Sequence, residues 1–122
     1  MHKNKTLVIG ASENPQRYSN IAMRMLKEID KPTVGIGRKE GEAHDSKIIK
    51  GRPELDDIDT VTLYVSHKYQ DEYINYILDE IRPQRIIFNP GTENEDFYKR
   101  ATDMGIEAIE ACTLVMIRTG VY

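Results

Sequence analysis

At 122 residues the chain has the length of one domain, long enough to bury a core without disulfide or metal staples. Its 17 Lys and Arg stand against 20 Asp and Glu, a net charge of −3 with no basic block. This argues against gripping nucleic acid or an anionic membrane by bulk charge. One cysteine, Cys112, excludes an internal disulfide, and no apolar run approaches the roughly 18 residues of a membrane span. Residues 1–5 run straight into an apolar segment rather than a secretory core. The expectation is a single cytoplasmic domain over residues 1–122, with residues 1–4 as a flexible lead.

In chain order, residues 6–9 form a short β-branched run closed by Gly10, the pattern of a buried strand. Ile21, Ala22, Met25, Leu26 and Ile29 recur at helical spacing until Lys31 and Pro32 stop them. Residues 33–36 give a second strand. Residues 37–53 are charged and turn-rich, with Ile48 and Ile49 the only apolar pair, and predict a loop with a very short strand. Residues 61–65 form the clearest strand. Tyr73, Ile74, Ile77, Leu78 and Ile81 make the next helical stripe, ended by Pro83. A strand at 85–88 follows, then a helix for which Thr92 and Glu95 have capping-box spacing and Gly105 marks the end. Residues 106–109 and 112–117 finish the chain as strand or short helix.

Strands alternating with helices of about a dozen residues call for parallel crossovers. The fold class is therefore α/β: a small, doubly wound, mainly parallel sheet with helices on both faces. Ligands of such sheets bind beyond the carboxyl ends of the strands, where strand order reverses. The turns after Ile9, Ile36, Val65 and Phe88 become the candidates.

In the first turn, Gly10 and Ala11 let backbone approach a phosphate, and Ser12, Ser19 and Asn20 add polar groups near a helix N-terminus. A strand-exit turn with Ser19 as an ordinary N-cap explains the same residues structurally. The glycine pattern of a dinucleotide fingerprint is absent, because Ser12 and Pro15 follow Gly10. Tyr18 is placed to cover an adenine or a ribose. In the second turn, Arg38 and Lys39 stand where an NAD site usually carries an acid, and a cation pair suits a phosphorylated ribose. The competing explanation is a solvated charged turn, which Glu40 and Glu42 favour.

In the third turn Ser66 caps a helix or meets the ligand. His67 can donate to a phosphate or act as a base, but no partner acid is identifiable. In the fourth, Asn89, Pro90 and Gly91 form a tight turn whose amides can meet a ligand, with Pro-Gly punctuation as the structural alternative. Cys112 sits in an apolar run and reads as a small hydrophobe. His2, His44 and Cys112 are too scattered for a metal site, and Asp56, Asp57 and Asp59 lack calcium-loop spacing.

Taken in order, these residues resemble the small bacterial coenzyme-A-binding proteins with a Rossmann-type domain. That family is similar to the nucleotide-binding domain of succinyl-CoA synthetase. The resemblance runs from about residue 6 to 117. It rests on residues 8–12 with Asn14, Pro15, Ser19 and Asn20, and on the charged second turn. Residues 49–53, Ile58 and Asp59 before the central strand, 89–91 with Glu93 and Asn94, and 110–112 complete it. The chain departs from the family at the second turn, where Asn-Pro-Lys is usual. The resemblance implies coenzyme A, free or acylated, across the strand ends. Its pyrophosphate would lie near Gly10, Ala11, Ser12, Ser19 and Asn20, and its phosphorylated ribose near Arg38 and Lys39. It implies a ligand rather than a reaction, so no catalytic residue is assigned. The module would act as a sensor or accessory subunit, with no protein partner or homo-oligomer indicated. Two alternatives stand beside it: an NADP-dependent oxidoreductase, and an interaction module with a vestigial nucleotide site.

Overall fold

The computed structural model describes residues 4–122. Of the expected flexible lead, residues 1–3 lie outside the described residues, and Asn4 is exposed ahead of the first strand. The elements are β1 (Lys5–Ile9), α1 (Tyr18–Glu28), β2 (Thr33–Ile36), β3 (Gly41–Ala43), β4 (Ser46–Ile49) and β5 (Ile58–Leu63). A 3-10 turn (His67–Tyr69) then leads into α2 (Asp71–Asn75), which widens into a π-helical segment (Tyr76–Ile81). After these come β6 (Arg85–Phe88), α3 (Glu95–Asp103), β7 (Glu107–Glu110) and α4 (Thr113–Arg118).

The strands form one sheet in the order β3-β4-β2-β1-β5-β6-β7, and only the β3–β4 pair is antiparallel. The order therefore steps outward from β1 in both directions, so strand order reverses between β1 and β5. This is the Rossmann arrangement, doubly wound as the alternation of elements predicts.

Period-two alternation divides the core between the two faces. Leu7, Ile9, Val61, Leu63, Ile86 and Phe88 point to one face, where Ile74, Ile77 and Leu78 of the second crossover and Phe97 and Ala101 of α3 cover them. Phe97 meets Phe88 edge to face at 5.2 Å. Val8 faces the other way, against Met23 and Leu26 of α1. That second face also carries buried threonines, which the chain's end satisfies. Thr62 and Thr113 share a hydrogen bond of 2.7 Å, Thr6 bonds the Tyr122 hydroxyl, and Arg85 donates to the Thr60 hydroxyl and the Tyr122 carbonyl.

Several expectations need correction. The expected short strand at Ile48 and Ile49 is present as the end of β4, but residues 41–49 pair as a β-hairpin inside the irregular stretch 37–53. His44 and Asp45 both take positive φ (50° and 65°) in its two-residue turn, a role more often signalled by Asn-Gly or Asp-Gly. The helix cap before α3 is Asn94, whose side chain accepts from the Phe97 N–H at 3.1 Å; Thr92 instead donates to the Asn89 carbonyl. Ser19 does not cap α1, because the helix opens one residue earlier at Tyr18. The stripe 73–81 is only partly α-helical. Its π segment, closed by the Arg82 N–H on the Ile77 carbonyl, turns the consecutive Tyr76, Ile77 and Leu78 all inward.

Four phenols are raised above the ordinary tyrosine range, burial being the main cause at Tyr64, Tyr73, Tyr76 and Tyr122. Tyr76, which donates to the Pro53 carbonyl at 2.6 Å, is pushed up to about 12. The unfolded phenol ionises near pH 10 while the folded Tyr76 holds its proton, so its contribution is complete below about pH 10 and is lost as pH rises through about 12. The melting temperature is expected to fall across that window, and Tyr76→Phe to flatten the fall. Identical pH slopes for the two proteins between about pH 10 and 12 would count against the assignment.

Candidate functional site

The first βα turn is built by close backbone packing. Gly10, at φ 95°, lies so near the Tyr64 carbonyl that a Cβ would stand 3.0 Å from its oxygen. The Gly10 and Ala11 N–H groups both donate to the Ile36 carbonyl at 2.9 Å. Gly37 is under the tightest constraint: a Cβ there would meet the Ala11 carbonyl oxygen at 2.3 Å. The glycine turn is thus locked between the ends of β2 and β5, which places it at the reversal of strand order.

A cleft of about 680 Å³ opens at that point. Its walls include Gly10, Ala11, Ser12 and Arg17 from the first turn, Arg38 and Lys39 from the second, and Tyr64, Ser66, Tyr69 and Glu72 from the third. The volume falls within the ordinary range for small-molecule sites. No side chain caps α1 and no acid sits in its first turn. The Asn20 N–H donates to the Arg17 carbonyl at 3.0 Å, which leaves the Tyr18 and Ser19 N–H groups as the open amides of the helix N-terminus. Arg17, Arg38 and Lys39 take part in no ion pair among the described residues. The Arg38 guanidinium lies 5.5 Å from the centre of the Tyr69 ring, a cation–π contact that holds it at the cleft.

Of the residues singled out from sequence, Gly10, Ala11, Ser12, Arg38, Lys39 and Ser66 line this one cleft. The others do not. Tyr18 is 71% exposed and Ser19 is buried within α1. Asn20 commits its amide to the turn itself: Nδ2 donates to the Ser12 carbonyl at 2.8 Å, and Oδ1 pairs with His44 Nε2 at 2.8 Å. Asn89 is buried and structural. Its Nδ2 donates to the Thr62 hydroxyl and the Leu63 carbonyl, each at 2.7 Å, while Oδ1 accepts the Thr113 N–H at 2.8 Å. Pro90 and Gly91 are exposed beyond it and do not line the cleft.

Sequence reasoning missed Glu13, Tyr69, Glu72 and Tyr73. The Glu13 carboxylate accepts the Glu42 N–H at 3.1 Å and ties the first turn to the hairpin, where Gly41 leaves room for it. Gly41 was the available signal, but its meaning depends on which loop faces it. Tyr69 belongs to the 3-10 turn, for which no periodic pattern exists. Among the described residues no three His, Cys, Asp or Glu side chains converge as metal ligands, and no helix is long and apolar enough to cross a membrane.

A parallel sheet with a glycine turn, a helix N-terminus and cations at its switch point defines a Rossmann-like domain with a candidate ligand cleft. Comparison with known proteins sharpens this class. The family model for a CoA binding domain matches residues 4–118, and the chain belongs to that family. It is 41% identical to an uncharacterised protein whose crystal structure superposes with a TM-score of 0.93, each chain being covered in full (100%). A hypothetical protein from Pyrococcus horikoshii OT3 is 26% identical with a TM-score of 0.83, over 97% of this chain and 83% of that one. A conserved hypothetical protein from Pyrococcus furiosus, 23% identical with a TM-score of 0.79, covers 92% of this chain and 97% of its own, and shares the fold. The search of curated proteins returned no match.

Proposed function

We propose that this protein binds coenzyme A, free or acylated, at the C-terminal ends of β1, β2 and β5, and that it serves as a non-catalytic sensor or accessory subunit. The observation that carries the reading is the meeting of two phosphate-seeking features in one cleft. The first is the Gly10–Ser12 turn beside the open end of α1, which suits a pyrophosphate. The second is the Arg38–Lys39 pair at the end of β2, which suits the 3′-phosphate of the ribose. Membership of the CoA binding domain family supports the same ligand. A binding role is favoured over catalysis because His67, the candidate base of the third turn, does not line the cleft.

The test is thermal unfolding with coenzyme A, dephospho-coenzyme A, NADP and NAD in parallel. A ligand at about 100 times its dissociation constant adds roughly 2.7 kcal/mol, which is several degrees for a domain of this size. Coenzyme A is expected to stabilise most and its dephospho form less. Stabilisation by NADP alone would transfer the site to a nicotinamide cofactor, and a flat response to all four would remove the nucleotide reading.

A further inference from the structure

Glu72 is the unexpected residue of the cleft, because an anionic ligand would meet its carboxylate there. Arg52, from the connection between β4 and β5, does not itself line the cleft but pairs with Glu72 at its edge. One Arg52 guanidinium nitrogen lies 3.4 Å from the Glu72 carbonyl oxygen and 3.7 Å from its carboxylate. Both side chains stay more than half exposed, at 52% and 60%, and ion pairs of that kind hold their partners weakly. The backbone beneath Arg52 is anchored nonetheless, since the Pro53 carbonyl accepts the buried Tyr76 hydroxyl. Arg52 reaches the cleft through Glu72, which lines it together with Arg38, Tyr69 and Tyr73. The Tyr69 ring carries Arg38 at 5.5 Å and Lys68 at 5.0 Å. Arg38 and Lys68 therefore meet at Tyr69, while Arg52, from a separate connection, pairs with Glu72 of the same cleft.

We infer that Arg52 is a specificity-determining residue of the cleft, held by Glu72 in the free protein and exchanged onto the ribose phosphate monoester of the ligand beside Arg38. This assignment rests on the coenzyme A reading above. A phosphate monoester carries close to two negative charges near neutral pH and offers paired oxygens to the guanidinium fork, so it displaces a single solvated carboxylate. Glu72 then does two things. It keeps Arg52 at the rim, and it raises the threshold for ligands that bring no dianion to release it.

Titration calorimetry of the wild type, Arg52→Gln and Arg52→Lys, each with coenzyme A and dephospho-coenzyme A, tests the assignment. Removing one charge-assisted hydrogen bond predicts that Arg52→Gln weakens coenzyme A about tenfold and leaves dephospho-coenzyme A within about twofold. Arg52→Lys, which keeps the charge and gives up the fork, is expected to recover part of that selectivity. If Arg52→Gln weakens both ligands alike, or neither, the assignment falls while the coenzyme A reading stands. If the wild type binds neither ligand, that reading fails and takes this assignment with it.

Discussion

Replacing Arg38 and Lys39 together by glutamate is expected to weaken coenzyme A more than about a hundredfold, against roughly tenfold for dephospho-coenzyme A. Charge-assisted hydrogen bonds contribute about 1.5–3 kcal/mol each, and every 1.4 kcal/mol is tenfold in affinity. Removing two of them at the 3′-phosphate therefore costs at least about 3 kcal/mol, before repulsion from the new carboxylates. On the proposed reading the pyrophosphate lies at the glycine turn of the same cleft. It would feel the reversal as a through-space repulsion without losing a direct hydrogen bond, screened over a Debye length of about 8 Å at physiological salt. Both positions are exposed and neither is in an ion pair among the described residues, so the melting temperature of the free protein is expected to move little. Calorimetric titration of both ligands gives the ratio. Equal weakening would take the ribose phosphate away from this pair.

Asn89→Ala is expected to cost about 3–5 kcal/mol of stability while leaving the affinity of the surviving folded protein nearly unchanged. The amide, just after β6, bridges two further elements: the Leu63 carbonyl and Thr62 hydroxyl of β5, and the Thr113 N–H that opens α4. All three hydrogen bonds are buried. Truncation strands the Leu63 carbonyl and the Thr113 amide away from water, and each unsatisfied buried group costs about 1–3 kcal/mol. Asn89→Asp is no remedy, because a carboxylate has no hydrogen to offer Leu63 and brings a buried charge. Against a total stability of about 5–15 kcal/mol the loss is large, and urea unfolding measures it directly. A protein that keeps its stability but loses coenzyme A affinity would show that Asn89 is a ligand contact, as its place after β6 suggests from sequence.

Asn89 also illustrates how much of the site was legible. Its position at a strand's carboxyl end is readable, but position alone does not separate a residue that meets ligand from one that fastens the strand ends together. The same ambiguity covers Asn20, whose amide holds the Ser12 carbonyl rather than facing the cleft. Gly10, Ala11, Ser12, Arg38 and Lys39 were legible because their chemistry is carried by backbone shape and formal charge. Tyr69 and Arg52 were not, since each comes from a segment without periodicity, and Glu72, on the polar side of α2, reads only as a solvated helix residue until folding brings it to the cleft.

The sequence by itself determined the α/β class and the doubly wound order of elements. These follow from local physics: β-branched runs, helical stripes and the crossover needed to join parallel strands. It did not determine the hairpin, whose His44–Asp45 turn lacks the usual residues, or the π segment, which exists because Tyr76, Ile77 and Leu78 are buried together. Nor did it decide which polar side chains face the cleft. That choice depends on hydrogen-bond partners distant in the chain, such as Leu63 and Thr113 for Asn89, and a buried amide goes wherever its desolvation is best offset.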